Sequence, residues 1–96
     1  MPTVSELKEE ERLDSYFRVR QFDERETRNG KKYLDLLLED RTASISGKVW
    51  EIDEQVVGVI ESGDFVKVRA AVESYKGILQ LRVLKIRKVN DEDFEE

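Results

Sequence analysis

The side chains with the most chemistry to offer are aromatic rings set among cations. Tyr33, Lys48 and Trp50 lie in one central stretch, Asn29 to Trp50. Tyr16, Arg18 and Arg20 precede it, Arg25, Arg28, Lys31 and Lys32 crowd its first turn, and Tyr75 and Lys76 form a later pair. Flat rings stack on other planar groups, unpaired nucleic-acid bases among them at about 1–3 kcal/mol per base, while ammonium and guanidinium groups neutralise phosphates. That is the chemistry of holding rather than of bond breaking. The chain has no histidine and no cysteine, which removes the commonest general base, the commonest metal ligand and any disulfide framework. Asp91, Glu92, Asp93, Glu95 and Glu96 cluster, but in a terminal run with no scaffold to fix ligand geometry. No cofactor, no metal and no catalytic residue is expected.

The elements that must position these residues are short strands. Leu34, Leu36 and Leu38 recur with period two and share one face of a strand. Asn29-Gly30 before it suits a tight hairpin turn with positive φ at both central positions. Asp40-Arg41-Thr42 closes the next turn, after which Ile45, Gly47 and Val49 share one face and Ser44, Ser46, Lys48 and Trp50 the other. The apolar set faces a core, so Tyr33, Asp35, Lys48 and Trp50 turn outward. Trp50 has two readings at this point: stacking on a partner, or packing under Ile52 or the N-terminal segment. A first strand over about Leu13 to Asp23 puts Leu13, Phe17 and Val19 inward and Tyr16, Arg18 and Arg20 outward. The two arginines serve either a ligand or surface ion pairs with acids such as Asp35. Asp35 and Glu39 on the same outer face oppose phosphate binding.

Past Trp50 the period changes. Ile52, Val56, Val59 and Ile60 fall at i, i+4, i+7 and i+8, which predicts a short helix within residues 53–62, with Asp53 as N-cap and Gly63 as its stop. Val66, Val68, Ala70 and Val72 alternate again as a fourth strand. Tyr75-Lys76-Gly77 turns into a fifth strand reaching about Lys88, with a bulge expected to return Ile86 to the core.

The chain has 96 residues, 41% charged and 39% hydrophobic, enough for one small domain. Its net charge of −5 is unevenly spread. Residues 1–14 carry five acids and two bases, residues 90–96 five acids and no base, and residues 15–89 hold 15 bases against 12 acids. A mildly basic body therefore sits between acidic ends. We read residues 1–12 as a polar segment, 13–89 as the folded domain and 90–96 as a disordered acidic tail or linker, with 1–4 and 90–96 mobile. No apolar run approaches a membrane span and no signal-peptide pattern is visible, so a cytoplasmic location with no membrane partner is expected.

Three strands, a helix and two strands cannot leave long apolar edges open in a stable monomer. Closure into an all-β, five-stranded Greek-key barrel, with one short helix between strands 3 and 4 plugging an end, solves this, and that is the OB-fold. The SH3-like barrel is the runner-up, and the helix argues against it. The blocks Asn29 to Thr42, Ile45 with Lys48-Val49-Trp50, Gly63 to Arg69, and Tyr75 to Leu81 resemble the OB nucleic-acid-binding family. More narrowly, the chain is similar over about residues 7–89 to the OB domain that precedes an HD phosphohydrolase domain in bacterial 3′-to-5′ exoribonucleases. The resemblance implies binding of a single strand, RNA before DNA, by a substrate-binding module of a larger nuclease or phosphohydrolase whose catalytic domain follows in the same chain. It places the contacts on the outer face of strands two and three and on the loops between strands one and two and between four and five. The residues implied are Tyr16, Arg18, Arg20, Arg28, Lys31, Lys32, Tyr33, Lys48, Trp50, Tyr75 and Lys76. Similar sequences often carry glycine where this chain has Ala43, and late in strand four where it has Ala70-Ala71, which leaves the backbone at both places in question. A different class of function, a protein-interaction barrel anchored by Trp50 and Tyr33, stays open on the same residues.

Overall fold

A computed structural model describes residues 4–52 and 54–89. Five strands form: β1 (Arg12–Glu26), β2 (Lys32–Glu39), β3 (Ser44–Val49), β4 (Phe65–Tyr75) and β5 (Ile78–Lys88). They close into a barrel in the order β1-β2-β3-β5-β4. Neighbours are antiparallel except β3 and β5, which run parallel. The closing contact between β3 and β5 is short, Gly47 to Val49 against Leu81 to Val83.

The inward residues of all five strands meet in one core. Leu34, Leu36 and Leu38 face Ile45, Gly47 and Val49 across β2 and β3, as their period requires, and Val66, Val68, Ala70, Leu81 and Val83 complete the interior. The space at Gly47 is filled by its neighbours: a Cβ there would lie 3.3 Å from Leu38 Cδ1 and 3.4 Å from Val83 Cγ2.

The length of β1 lets one strand serve two partners. Its first half, to Arg18, pairs with β4, and its second half, from Arg18, pairs with β2. The registers Val19↔Leu38 and Gln21↔Leu37 leave Arg20 as an extra residue, a bulge that resets the alternation so that Phe22 packs on the core. A second bulge, between Arg69↔Lys85 and Ala70↔Val83, leaves Leu84 extra and exposed and returns Ile86 to the interior.

The turns differ from expectation in instructive ways. At Asn29-Gly30 only Gly30 has positive φ, +82°. Gly30 N–H donates to Thr27 O at 2.9 Å and Thr27 N–H to Lys31 O at 2.8 Å. This is a three-residue loop closed by a left-handed glycine rather than a two-residue turn. The two-residue turn with both central φ positive lies instead at Lys76 (+53°) and Gly77 (+80°). Ala43 is not left-handed. Its turn is held by Asp40 Oδ1, which accepts from Thr42 N–H (2.8 Å), Thr42 O–H (2.6 Å) and Ala43 N–H (3.2 Å). No glycine is needed there.

The predicted helix shrinks to one turn, α1 (Glu54–Val57), closed by Gly58 N–H donating to Glu54 O at 2.9 Å. Valine and glycine are weak helix formers, and Val59, on the supposed apolar stripe, is 56% exposed while Ile60 is buried. Gly63 does not stop a helix. At φ +95° it enters β4, with its N–H donating to Val19 O at 2.7 Å. Asp53 as N-cap and the mobility of residues 1–3 and 90–96 lie outside the described residues. Val4 does not fit the expectation of mobility. It sits in a 3-10 turn (Val4–Glu6), packs against the core and donates its N–H to Asp40 Oδ2 at 2.7 Å. Leu7 behind it is buried in the core.

Candidate nucleic-acid interface

The outer face of β2 and β3 carries the central aromatic set. The register pairs Asp35 with Lys48 and Leu34 with Val49, so Tyr33 and Trp50 come side by side just beyond the end of β3. Their ring centroids are 4.5 Å apart with a 34° tilt. Lys31 Nζ stands 5.7 Å from the Trp50 ring centroid and Lys48 Nζ 5.6 Å from that of Tyr33. Lys48 Nζ is also 5.5 Å from the Tyr75 ring, and Lys76 Nζ is 5.4 Å from the same ring. Six side chains thus form one run across the face, Lys31, Trp50, Tyr33, Lys48, Tyr75 and Lys76, with cations over rings at cation–π distance. Trp50 is half-buried, and its ring lies against that of Tyr33.

Each part of the run is held by its local structure. The loop closed by Gly30 brings Lys31 back over β3. Strand alternation turns Tyr33 and Lys48 outward together. The tight Lys76-Gly77 turn places the Tyr75 ring above Lys48.

The two acids on this face are each matched by arginine. Asp35 pairs with Arg25 (Nε to Oδ2, 3.0 Å) and accepts the Ser46 hydroxyl at 3.5 Å. Glu39 lies 4.0 Å from Arg18 and 3.7 Å from Arg20. These surface pairs are worth about 0–1 kcal/mol each, but they offset the negative charge that would repel phosphate. Arg18 and Arg20 therefore pair with Glu39, not Asp35, and stand at the far end of the face from the rings. The bulge at Arg20 shifts which β1 residues oppose β2 and so brings Arg25 to Asp35, a pairing that residue type does not signal.

The remaining expected residues scatter. Tyr16 lies opposite Lys67 of β4, with that ammonium 5.6 Å from its ring, on the side of the barrel away from β2. Lys32 pairs with Glu24 at 3.7 Å, and Arg28 is exposed in the β1–β2 loop. At the opposite end of the face, partial burial pushes the Asp40 carboxyl up. Hydrogen bonds from the Thr42 hydroxyl and the Thr42, Val4 and Ala43 amides outweigh this and leave it below its ordinary value. That group is a structural cap. Among the described residues no group of three or more carboxylates, histidines or cysteines is gathered as a metal site.

Comparison with known proteins bears on the family and the fold. The 3′-5′ exoribonuclease YhaM of Geobacillus sp. (strain WCH70) is 30% identical over 83 residues, covering 86% of this chain and 26% of that protein. The chain therefore spans about a quarter of the length of this curated relative. Among solved structures, the second OB-fold domain of replication protein A from Methanococcus maripaludis superposes with a TM-score of 0.70 at 23% identity, covering 94% of this chain and 95% of that one. A replication protein A heterotrimer bound to single-stranded DNA gives 0.70 at 19%, covering 86% and 61%. The mitochondrial single-stranded DNA-binding protein Rim1 of S. cerevisiae gives 0.67 at 16%, covering 86% and 98%. These three structures establish the barrel alone. The family model of the OB-fold nucleic acid binding domain matches residues 17–89, and the chain belongs to that family.

Proposed function

We propose that this barrel binds single-stranded nucleic acid, RNA in preference to DNA, as the substrate-binding module of a larger nuclease or phosphohydrolase. The observation that carries the reading is the unbroken run of rings and ammonium groups from Lys31 to Lys76 on the outer face of β2 and β3. Unpaired bases stack on such rings without regard to sequence, and the lysines meet the backbone. A duplex hides its base faces and would gain little from it. The preference for RNA draws on the exoribonuclease relative. The polar groups that a 2′-hydroxyl would meet at the centre of the face are the Asp35 carboxylate and the Ser46 hydroxyl. Residues 13–89 form the binding module in this reading, and 90–96 serve as an acidic linker to a catalytic domain beyond them. A tether of that kind raises the local substrate concentration, so modest intrinsic affinity suffices.

The body of the barrel is only mildly basic, so affinity for a short strand is expected to be roughly micromolar or poorer. With about three or four phosphates neutralised, the log–log salt slope is expected near −2 to −3, at about −0.7 per phosphate. Trp50 is the single tryptophan and reports directly. Titration with uridine and thymidine oligonucleotides of equal length is expected to quench its emission, with the ribo-oligomer tighter and both weakened by salt. Absence of quenching at low salt, with dimers seen by light scattering, would favour the protein-interaction barrel instead.

A further inference from the structure

A second basic surface lies beyond the face with the aromatic run. The outward positions of β4 and β5 and the first half of β1 carry Arg12, Lys67, Arg69, Arg82, Lys85 and Arg87, opposed there by Asp14 and Glu73. Register sorts them into cross-strand rows: Arg82 beside Ala71 and Arg12, then Lys85 beside Arg69 and Asp14, then Arg87 beside Lys67 and Tyr16. Asp14 is shared between Lys67 (4.0 Å) and Arg69 (3.3 Å), so one carboxylate answers two cations. Arg82 pairs with Glu73 at 3.3 Å. Lys85 and Arg12 carry no ion pair among the described residues. Arg87 is engaged as well, so the positive charge left uncancelled on this surface rests on Lys85, Arg12 and the second cation at Asp14.

This surface is continuous with the aromatic run. The parallel pairing of β3 and β5 sets Lys48, the middle cation of the run, directly opposite Arg82, the first of the basic rows. From Arg82 the rows proceed along β5 to Arg87, five residues or about 15–17 Å at strand rise. Tyr16, at the far row, carries Lys67 over its ring at 5.6 Å, the same arrangement as on the first face.

We propose that the strand bound at the Tyr33–Trp50 face continues past Lys48 across β5 onto β4, its phosphates running along Arg82, Arg69 with Lys85, and Lys67 with Arg87. The proposal rests on the reading of the barrel as a single-strand binder and gives it a second, purely electrostatic segment. Short strands fill the aromatic face alone, and longer ones reach the basic rows. The footprint is then at the longer end of the roughly 4–16 nucleotides known per barrel of this kind.

The test compares oligo-uridines of about five and about twelve nucleotides, within that range of site sizes, on the wild type, the triple variant Arg69→Gln/Lys85→Gln/Arg87→Gln, a charge-keeping triple (Arg69→Lys/Lys85→Arg/Arg87→Lys), and Trp50→Ala. Three further phosphates at about −0.7 each steepen the salt slope of the long oligomer by about 2, a roughly twentyfold extra loss between about 50 and 200 mM salt. The glutamine triple is expected to abolish that extra slope and leave the short oligomer unchanged, and the charge-keeping triple to restore it. Equal slopes for both lengths on the wild type, or a glutamine triple that weakens both lengths alike or neither, would overturn the proposal. So would a triple that spares the long oligomer but loses binding to poly-glutamate, which would assign the surface to an acidic protein partner. The Trp50→Ala arm separates the two readings. If it leaves the short oligomer bound while the glutamine triple releases the long one, the aromatic face fails and the basic track stands.

Discussion

Because Tyr33 and Trp50 lie against each other at 4.5 Å, substitutions at the two positions are expected to act as one. Their facing surfaces are occupied by one another, and an incoming base is left the outer surfaces, over which Lys31 and Lys48 now stand. Stacking a base is worth about 1–3 kcal/mol. Displacing an exposed ammonium gives back about 0.5–1 kcal/mol of cation–π attraction, regained when that lysine meets a phosphate. Trp50→Ala and Tyr33→Ala should therefore each cost about 1–3 kcal/mol in binding. The two rings hold each other in place for stacking, and either single variant already forfeits that support. The double variant should therefore fall short of the sum of the singles by more than about 0.5 kcal/mol, as expected for residues in contact. Anisotropy of a labelled oligonucleotide measures all four corners of the cycle, since Trp50→Ala removes the intrinsic reporter, and circular dichroism verifies folding. Losses that add within about 0.3–0.5 kcal/mol, or folded variants with wild-type affinity, would refute the shared stack.

Asp40→Asn should destabilise the fold by about 1–2 kcal/mol at neutral pH, since the carboxylate accepts bonds from Thr42, Ala43 and Val4. Its folded pKa lies below the ordinary 3.8, so the wild-type advantage is full above that value and disappears as pH falls through the folded one; urea midpoints in neutral and acidic buffer read this out. Lys76→Asn should raise stability by up to about 1 kcal/mol, because asparagine tolerates the left-handed φ of +53° better than lysine, while weakening oligonucleotide binding through loss of the cation over Tyr75. Thermal melts and affinities on the same variant show whether the two move in opposite directions. Gly47→Val should cost about 1–3 kcal/mol by overpacking, since even its Cβ would stand 3.3 Å from Leu38 Cδ1; denaturant unfolding measures it.

Much of this barrel can be read before it is seen, and the limits have physical causes. The alternation of Leu34, Leu36 and Leu38 against Ile45, Gly47 and Val49 dictates which side faces the core, so the outward turn of Tyr33, Lys48 and Trp50 follows from period two alone. Tyr75 and Lys76 join them because the loop between strands four and five must overhang that face in a barrel of this order. Period two says nothing about which strand lies alongside. Tyr16 turns outward on the same strand as Arg18 and Arg20, yet the first half of β1 pairs with β4 and carries it away from Tyr33. The bulge at Arg20 shifts the register by one residue without any signal in residue type, which concealed the Arg25–Asp35 pair. Ile52, Val56, Val59 and Ile60 satisfy helical spacing, but Gly58 lies among them and the helix ends at Val57. Spacing that is necessary for an amphipathic helix is not sufficient in a segment this short.

Chemical-shift mapping of the isotopically labelled protein against a single-stranded oligonucleotide reads the binding face residue by residue. The largest changes are expected on Lys31, Tyr33, Lys48, the Trp50 indole N–H, Tyr75 and Lys76, together and in fast exchange, with the interior and the Asp40 turn undisturbed. Shifts confined to other surfaces, or none at low salt, would contradict binding at this face.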